Sequence, residues 1–130
     1  MFDRLAVYAP QALAVLRIVA AILFILHGTT KVIGFPAAEF SPPLMSLFGL
    51  AGIIEIVAGL MILVGFFTRP AAFIAAGEMA VAYWMAHAPS SLYPSNNGGD
   101  AAILFCFVFL YLVFAGPGIW SVDALVRKRP

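Results

Sequence analysis

The run of apolar residues from 11 to 33 constrains this chain most, because it is long enough to cross a bilayer yet carries Arg17, His27 and Lys31. A helix rises about 1.5 Å per residue, so about twenty residues cover the roughly 30 Å of hydrocarbon in a membrane. Successive residues turn by about 100°, which brings Lys31 to within about 40° of Arg17 and His27 to about 80° from it, on the same side as Lys31. One helix face therefore holds all three basic groups. An ionisable side chain at mid-span costs about 2.5–3.5 kcal/mol to insert, so that face must turn inward toward partners. The run is longer than the apolar stretch of about 7–15 residues in a cleaved signal peptide and is basic inside, so it reads as a retained span.

The other apolar runs agree. Of the 130 residues, 64% are hydrophobic and 10% charged, against about 25% charged in soluble domains. This places the chain in the membrane class, as a single domain with the lipid bilayer as its surroundings. The net charge is +1 with no basic stripe, which excludes a nucleic-acid partner, since phosphates need clustered cations. Cys106 is the single cysteine, so no internal disulfide or dithiol chemistry is available, and its apolar setting disfavours thiolate.

Four spans are expected, at about residues 11–33, 47–67, 71–88 and 101–115. The first ends at Gly34-Phe35-Pro36. The second has Glu55 near its middle, with Gly52 and Gly59 on the same face and Gly49 at its border, where a neighbouring backbone can approach closely. Thr68-Arg69-Pro70 predicts a short turn, hence an antiparallel hairpin with the third span. That span carries Glu78 near its middle and His87 at its end. Asp100 predicts the N-cap of the fourth. Arg4, Arg69, Arg127, Lys128 and Arg129 fall on one side of such a chain, so the positive-inside rule places both termini in the cytoplasm. The fold class expected is all-α, a transmembrane four-helix bundle with cytoplasmic termini, multi-pass in a bacterial plasma membrane.

Glu55 and Glu78 then sit near the midplane, with Arg17 and His27 each about 7 Å from it, on opposite sides. Isolated charges there are untenable, so the sequence predicts an internal cluster of Arg17, His27, Glu55 and Glu78, with Lys31 and Asp100 nearer the outer surface. Two readings of that cluster stand side by side. It is a lock that specifies helix packing, or it is a ligand or proton site. Asn97, in the turn Asn96-Asn97-Gly98-Gly99, reads as a turn residue with a site role as the alternative. No haem is expected, because the two histidines lie at different depths. No metal is expected, because no ligand spacing supports one. The aromatics at Phe66, Phe67, Tyr83, Trp84 and Tyr93 read as interfacial belts and packing.

Several pieces of the chain resemble the DoxX family of small four-span membrane proteins. They are L-R-I and H-G-T-T-K in the first span and G-I-I-E-I-V-A-G-L-M-I-L-V-G-F-F-T-R-P-A-A across the second. G-E-M in the third, N-N-G-G-D before the fourth and G-P-G-I-W-S-V-D after it complete the match. Many members have glutamate where Asp100 stands. The resemblance implies a plasma-membrane protein tied to quinone-dependent redox chemistry. On that basis the expected function is a quinone-associated redox accessory subunit, a non-catalytic part of a quinone-linked oxidoreductase. Its site would be Arg17, His27, Lys31, Glu55, Glu78, Asn97 and Asp100, with quinone as a non-covalent cofactor. With no flavin, haem or metal of its own, it would depend on a partner redox enzyme. The alternatives are a proton-coupled transporter working as a homodimer, or a membrane scaffold that recruits a soluble redox enzyme through its basic tail.

Overall fold

The computed structural model describes residues 1–37 and 45–127. Pro42, Pro43, Lys128 and Arg129 lie outside the described residues, and so do the loop and tail expectations that rest on them. Every regular element among the described residues is helical.

A 3₁₀ turn at Phe2–Tyr8 leads into α1 (Ala9–Ile33), with Pro10 in the first turn, where its missing N–H is no loss. Gly34 ends α1 in the left-handed conformation at φ 70°. Helix α2 (Leu47–Val64) starts at Ser46, whose hydroxyl accepts the Gly49 N–H at 3.1 Å, and ends at Gly65. Helix α3 (Thr68–Ala82) runs without a break into a π-helical turn at Tyr83–His87. A 3₁₀ turn (Ala88–Ser90) and the single-turn α4 (Pro94–Asn97) follow. Then come α5 (Asp100–Ala115) and the short α6 (Val122–Arg127). Two segments, Phe2–Ile33 and Leu47–Val64, are long and apolar enough to cross a membrane.

Two local expectations need correction. The α2–α3 turn is made by Gly65, Phe66 and Phe67, and Thr68-Arg69-Pro70 forms the first turn of α3. Proline is tolerated in a first helical turn, and the exposed N–H groups there are capped from elsewhere. At α5 the cap is Gly99, and Asp100 is an exposed first-turn residue with no side-chain cap bond.

The four long helices pack antiparallel, α1 chiefly on α2 and α3 chiefly on α5. The interior is made largely of small side chains: Ala14, Ala20, Ala21, Ala58, Ala71, Ala72, Ala75, Ala76 and Ala102, around Phe24, Ile62, Phe109 and Leu112. Large apolar side chains such as Phe73, Ile74, Leu104, Phe107 and Phe114 point outward. This distribution suits lipid, in which exposed hydrocarbon carries no penalty and small residues let helices close on one another.

Helices α1 and α2 approach each other closely at Gly28 and Gly52. A Cβ on Gly28 would stand 2.7 Å from the Gly52 carbonyl oxygen, and one on Gly52 would stand 2.8 Å from the Lys31 Cβ. Gly52→Ala is therefore expected to push the helices apart and to cost about 1–3 kcal/mol through overpacking. Thermal unfolding in detergent checks this. Gly77→Ala is the control, because a Cβ at Gly77 meets nothing within 4 Å. It should be neutral or slightly stabilising through helix propensity.

At the end holding the chain terminus and the α2–α3 turn, two charged side chains cap neighbouring helices. The Asp123 carboxylate accepts the backbone N–H groups of Phe67 and Thr68, each at 2.9 Å, where a helix N-terminus favours a negative charge. Arg69 donates to the carbonyls of Val113 (3.2 Å) and Phe114 (3.0 Å) in the last turn of α5. Partial burial opposes ionisation of Asp123, but the N–H donors of Thr68 and Phe67, together with the Thr68 side chain and the Arg127 charge, outweigh it and hold the carboxyl below its ordinary range. The folded value thus lies under the unfolded one. The stabilisation from this group is complete above about pH 4 and is lost as the pH falls through the lowered folded value. Asp123→Ala should cost about 0.5–2 kcal/mol at neutral pH. Its deficit should shrink in acid, as unfolding followed from pH 7 to below pH 4 will show.

Candidate functional site

The close approach at Gly28 and Gly52 brings Lys31, in the last turns of α1, over Glu55 at mid-α2. The Lys31 Nζ lies 2.8 Å from both carboxylate oxygens of Glu55. Glu55 is fully buried, while a quarter of the Lys31 side chain is exposed. Glu78 projects from mid-α3 to within hydrogen-bonding reach of Glu55. Its Oε2 is buried and has no partner among the described residues. Two carboxyls in contact repel each other when both are ionised and attract when they share a proton, and the Lys31 ammonium offsets one such charge.

These three groups form the polar floor of a cavity of about 640 Å³. Sites for small molecules commonly measure about 300–1,000 Å³ and combine apolar walls with a few fixed polar groups. The walls include Leu23, Leu26, Phe48, Met79 and Phe105. His27 and His87 also line the cavity. The Nδ1 of His27 lies 2.8 Å from the Leu23 carbonyl and that of His87 lies 3.0 Å from the Asn97 carbonyl. A carbonyl only accepts, so in the neutral rings Nδ1 holds the proton and Nε2 is left as an acceptor. The His27 ring also packs edge-on against Phe105, with centroids 5.5 Å apart.

The expected site residues do not all lie together. Lys31, Glu55 and Glu78 meet, with His27 exposed beside them. Asn97 is buried and ties the α4 turn together. It donates to the Tyr83 hydroxyl (3.2 Å) and the Ser91 carbonyl (3.1 Å), and it accepts the Gly99 N–H (2.8 Å). Its own carbonyl orients His87, so it supports the cavity from behind. Asp100 is exposed and is not part of the cavity lining.

Arg17 is the principal correction. It does not join the carboxyls, and Lys31 supplies their cation. The guanidinium of Arg17 is fully buried and donates to the carbonyls of Pro117, Ile119 (3.1 Å) and Trp120 (2.8 Å). Its level on α1 matches the segment after α5, whose carbonyls take its hydrogen bonds, while the Asp123 carboxylate beyond acts on it only through space. Carbonyl acceptors leave no charge signature in a sequence, so a search for opposite charges misses them. Among the described residues no group of three or more His, Cys, Asp or Glu is placed to hold a metal ion.

A family model described as DoxX matches residues 12–88 of the chain. The chain belongs to the DoxX family. The matched region contains Arg17, Lys31, Glu55 and Glu78, and it stops short of Asn97 and Asp100. An uncharacterized protein of Haemophilus influenzae is 43% identical over 98% of this chain and 99% of its own length. The inner membrane proteins YqjF and YphA of Escherichia coli are 31% and 29% identical. Each aligns with 88% of this chain, over 92% and 89% of its own length respectively. No solved structure matches the chain. This DoxX protein is accordingly a membrane protein, with its alanine-lined interior and its apolar exterior both explained by lipid.

Proposed function

We propose that this DoxX protein is a quinone-binding accessory subunit of a membrane redox system. In this reading α1, α2, the continuous helical run 68–87 and α5 each span the bacterial plasma membrane. Both termini face the cytoplasm, as the positions of Arg4, Arg69 and Arg127 on one end favour. The observation that carries the reading is the Lys31–Glu55–Glu78 floor set beneath an apolar cavity.

The floor fits both redox forms of a quinone. The Lys31 ammonium has a donor beyond the two that Glu55 accepts, which suits a ring carbonyl. The unpartnered Glu78 Oε2 and the Nε2 of His27 suit a ring hydroxyl. A bound quinone would supply two-electron, two-proton chemistry, which these side chains do not possess themselves. Lys31 and Glu78 would orient the ring, the carboxyl pair would hold a proton, and the apolar walls would exclude water. Electrons would come from a partner enzyme.

Purification with native lipid, followed by mass spectrometry of bound small molecules, tests this. A quinone should co-purify with the protein and be lost from Glu55→Gln. Proton-coupled transport is the second reading, favoured by the shared-proton carboxyl pair. It requires proton flux in proteoliposomes that Glu78→Gln abolishes.

A further inference from the structure

A second hollow of about 380 Å³ lies between α2 and α3. Its lining includes Leu50, Ile54, Phe73, Ile74 and Val81, and Glu78 is its one ionisable residue. Phe48, Ala51, Glu78, Ala82 and Ala86 line both this groove and the polar cavity. The two spaces thus adjoin along these shared side chains, mainly alanines on either side of Glu78. The groove is lipid-facing, since Phe73, Ile74, Val81 and Met85 along it are all more than half exposed. It also has spare room. A Cβ on Gly77, which lines it, would meet nothing within 4 Å.

We propose that the groove holds the hydrocarbon chain of the same ligand whose polar head rests on Lys31, Glu55 and Glu78. The inference rests on the quinone reading of the cavity and adds that the ligand is long-tailed and sits with its chain toward the bilayer. The argument is one of continuity and complementarity. A ring bearing oxygens is matched by the floor, a linear hydrocarbon is matched by a groove with one polar side chain, and the two spaces meet at Glu78. A bulk acyl chain has no group for the floor. A packed helix from a second copy would cover the groove without using the cavity.

Two photoactivatable benzoquinones test it in lipid nanodiscs of phosphatidylcholine with the intact protein. One carries a diazirine at the end of a decyl chain, and the other is tailless with the diazirine on the ring. The tail probe should label peptides containing residues 47–54 and 73–86. The ring probe should label peptides around His27 and Phe105. Excess unlabelled decyl quinone should suppress both signals. Gly77→Leu, which fills open space, should keep its thermal stability, lower tail labelling by about tenfold and leave ring labelling unchanged. Glu55→Gln should lower both.

Several results would overturn the proposal while leaving the cavity reading intact. They are ring labelling with the tail signal elsewhere, tail labelling that unlabelled quinone does not suppress, or crosslinking of groove residues to a second copy. Labelling by neither probe would remove both readings, because the groove is assigned to that ligand's chain.

Discussion

Lys31→Met should lower the free energy of unfolding by about 3–5 kcal/mol, because it removes the cation from a buried carboxylate and offers nothing in return. Glu55 is fully buried and its two oxygens both rest on the Lys31 Nζ at 2.8 Å. Glu78 beside it brings no cation of its own, so losing Lys31 leaves two adjacent carboxyls with no ammonium between them. Glu55→Gln should cost less. It strands an ammonium, but Lys31 is a quarter exposed and its flexible stem can carry the charge toward water. Removing both charges in Lys31→Met with Glu55→Leu should recover most of the loss, as replacement of buried pairs by apolar residues commonly does. Reversible unfolding in mixed micelles measures all three variants. The pair is coupled only if the double substitution costs much less than the sum of the single ones. Additive costs would mean that each residue acts through separate contacts and that the floor of the cavity is not a unit.

How far the sequence revealed this arrangement depended on which kind of partner was involved. Helix α1 was legible almost to its ends, since Pro10, the apolar run and Gly34 mark it directly. The face shared by Glu55, Gly52 and Gly59 was legible too, because rotation per residue fixes which side chains lie together on one helix. The register between helices was not. Periodicity gives no relative depth, and the length of a lysine side chain allows Lys31 to reach Glu55 from near the helix end. Nothing in the sequence marks Asp123 as a cap, yet its hydrogen bonds to Phe67 and Thr68 go with a start of α3 three residues earlier than the Pro70 signal suggests. For Asp123, as for Arg17, the missing information was a backbone group. Such groups are identical at almost every position, and only the fold decides which of them point inward.

The same reasoning bears on Arg17, whose loss should be as damaging as that of Lys31 but should damage the opposite end of the molecule. Arg17→Met removes the donors to three carbonyls, those of Pro117, Ile119 and Trp120. Each buried acceptor left unmade costs about 1–3 kcal/mol, so a total near 3–5 kcal/mol is expected after partial relaxation. The segment has few means of holding itself. Gly116, Gly118 and Trp120 all have positive φ, which for a tryptophan is a disfavoured conformation. Arg17→Lys should rescue little, because an ammonium is a single point of donation and cannot span three carbonyls as a planar fork does. Amide hydrogen exchange across residues 117–121 should rise sharply in both variants. It should rise next at Phe67 and Thr68, because Asp123 caps α3 only while this segment holds α6 in place. Exchange near Lys31 and Glu55 should stay close to that of the parent protein. A uniform rise over the whole chain would instead show that Arg17 fastens the entire bundle, and the separation into a structural end and a ligand end would fail. Local loosening with ligand retention would establish that the two cations on α1 serve different ends. Arg17 would hold the chain after α5, and Lys31 would hold the cavity.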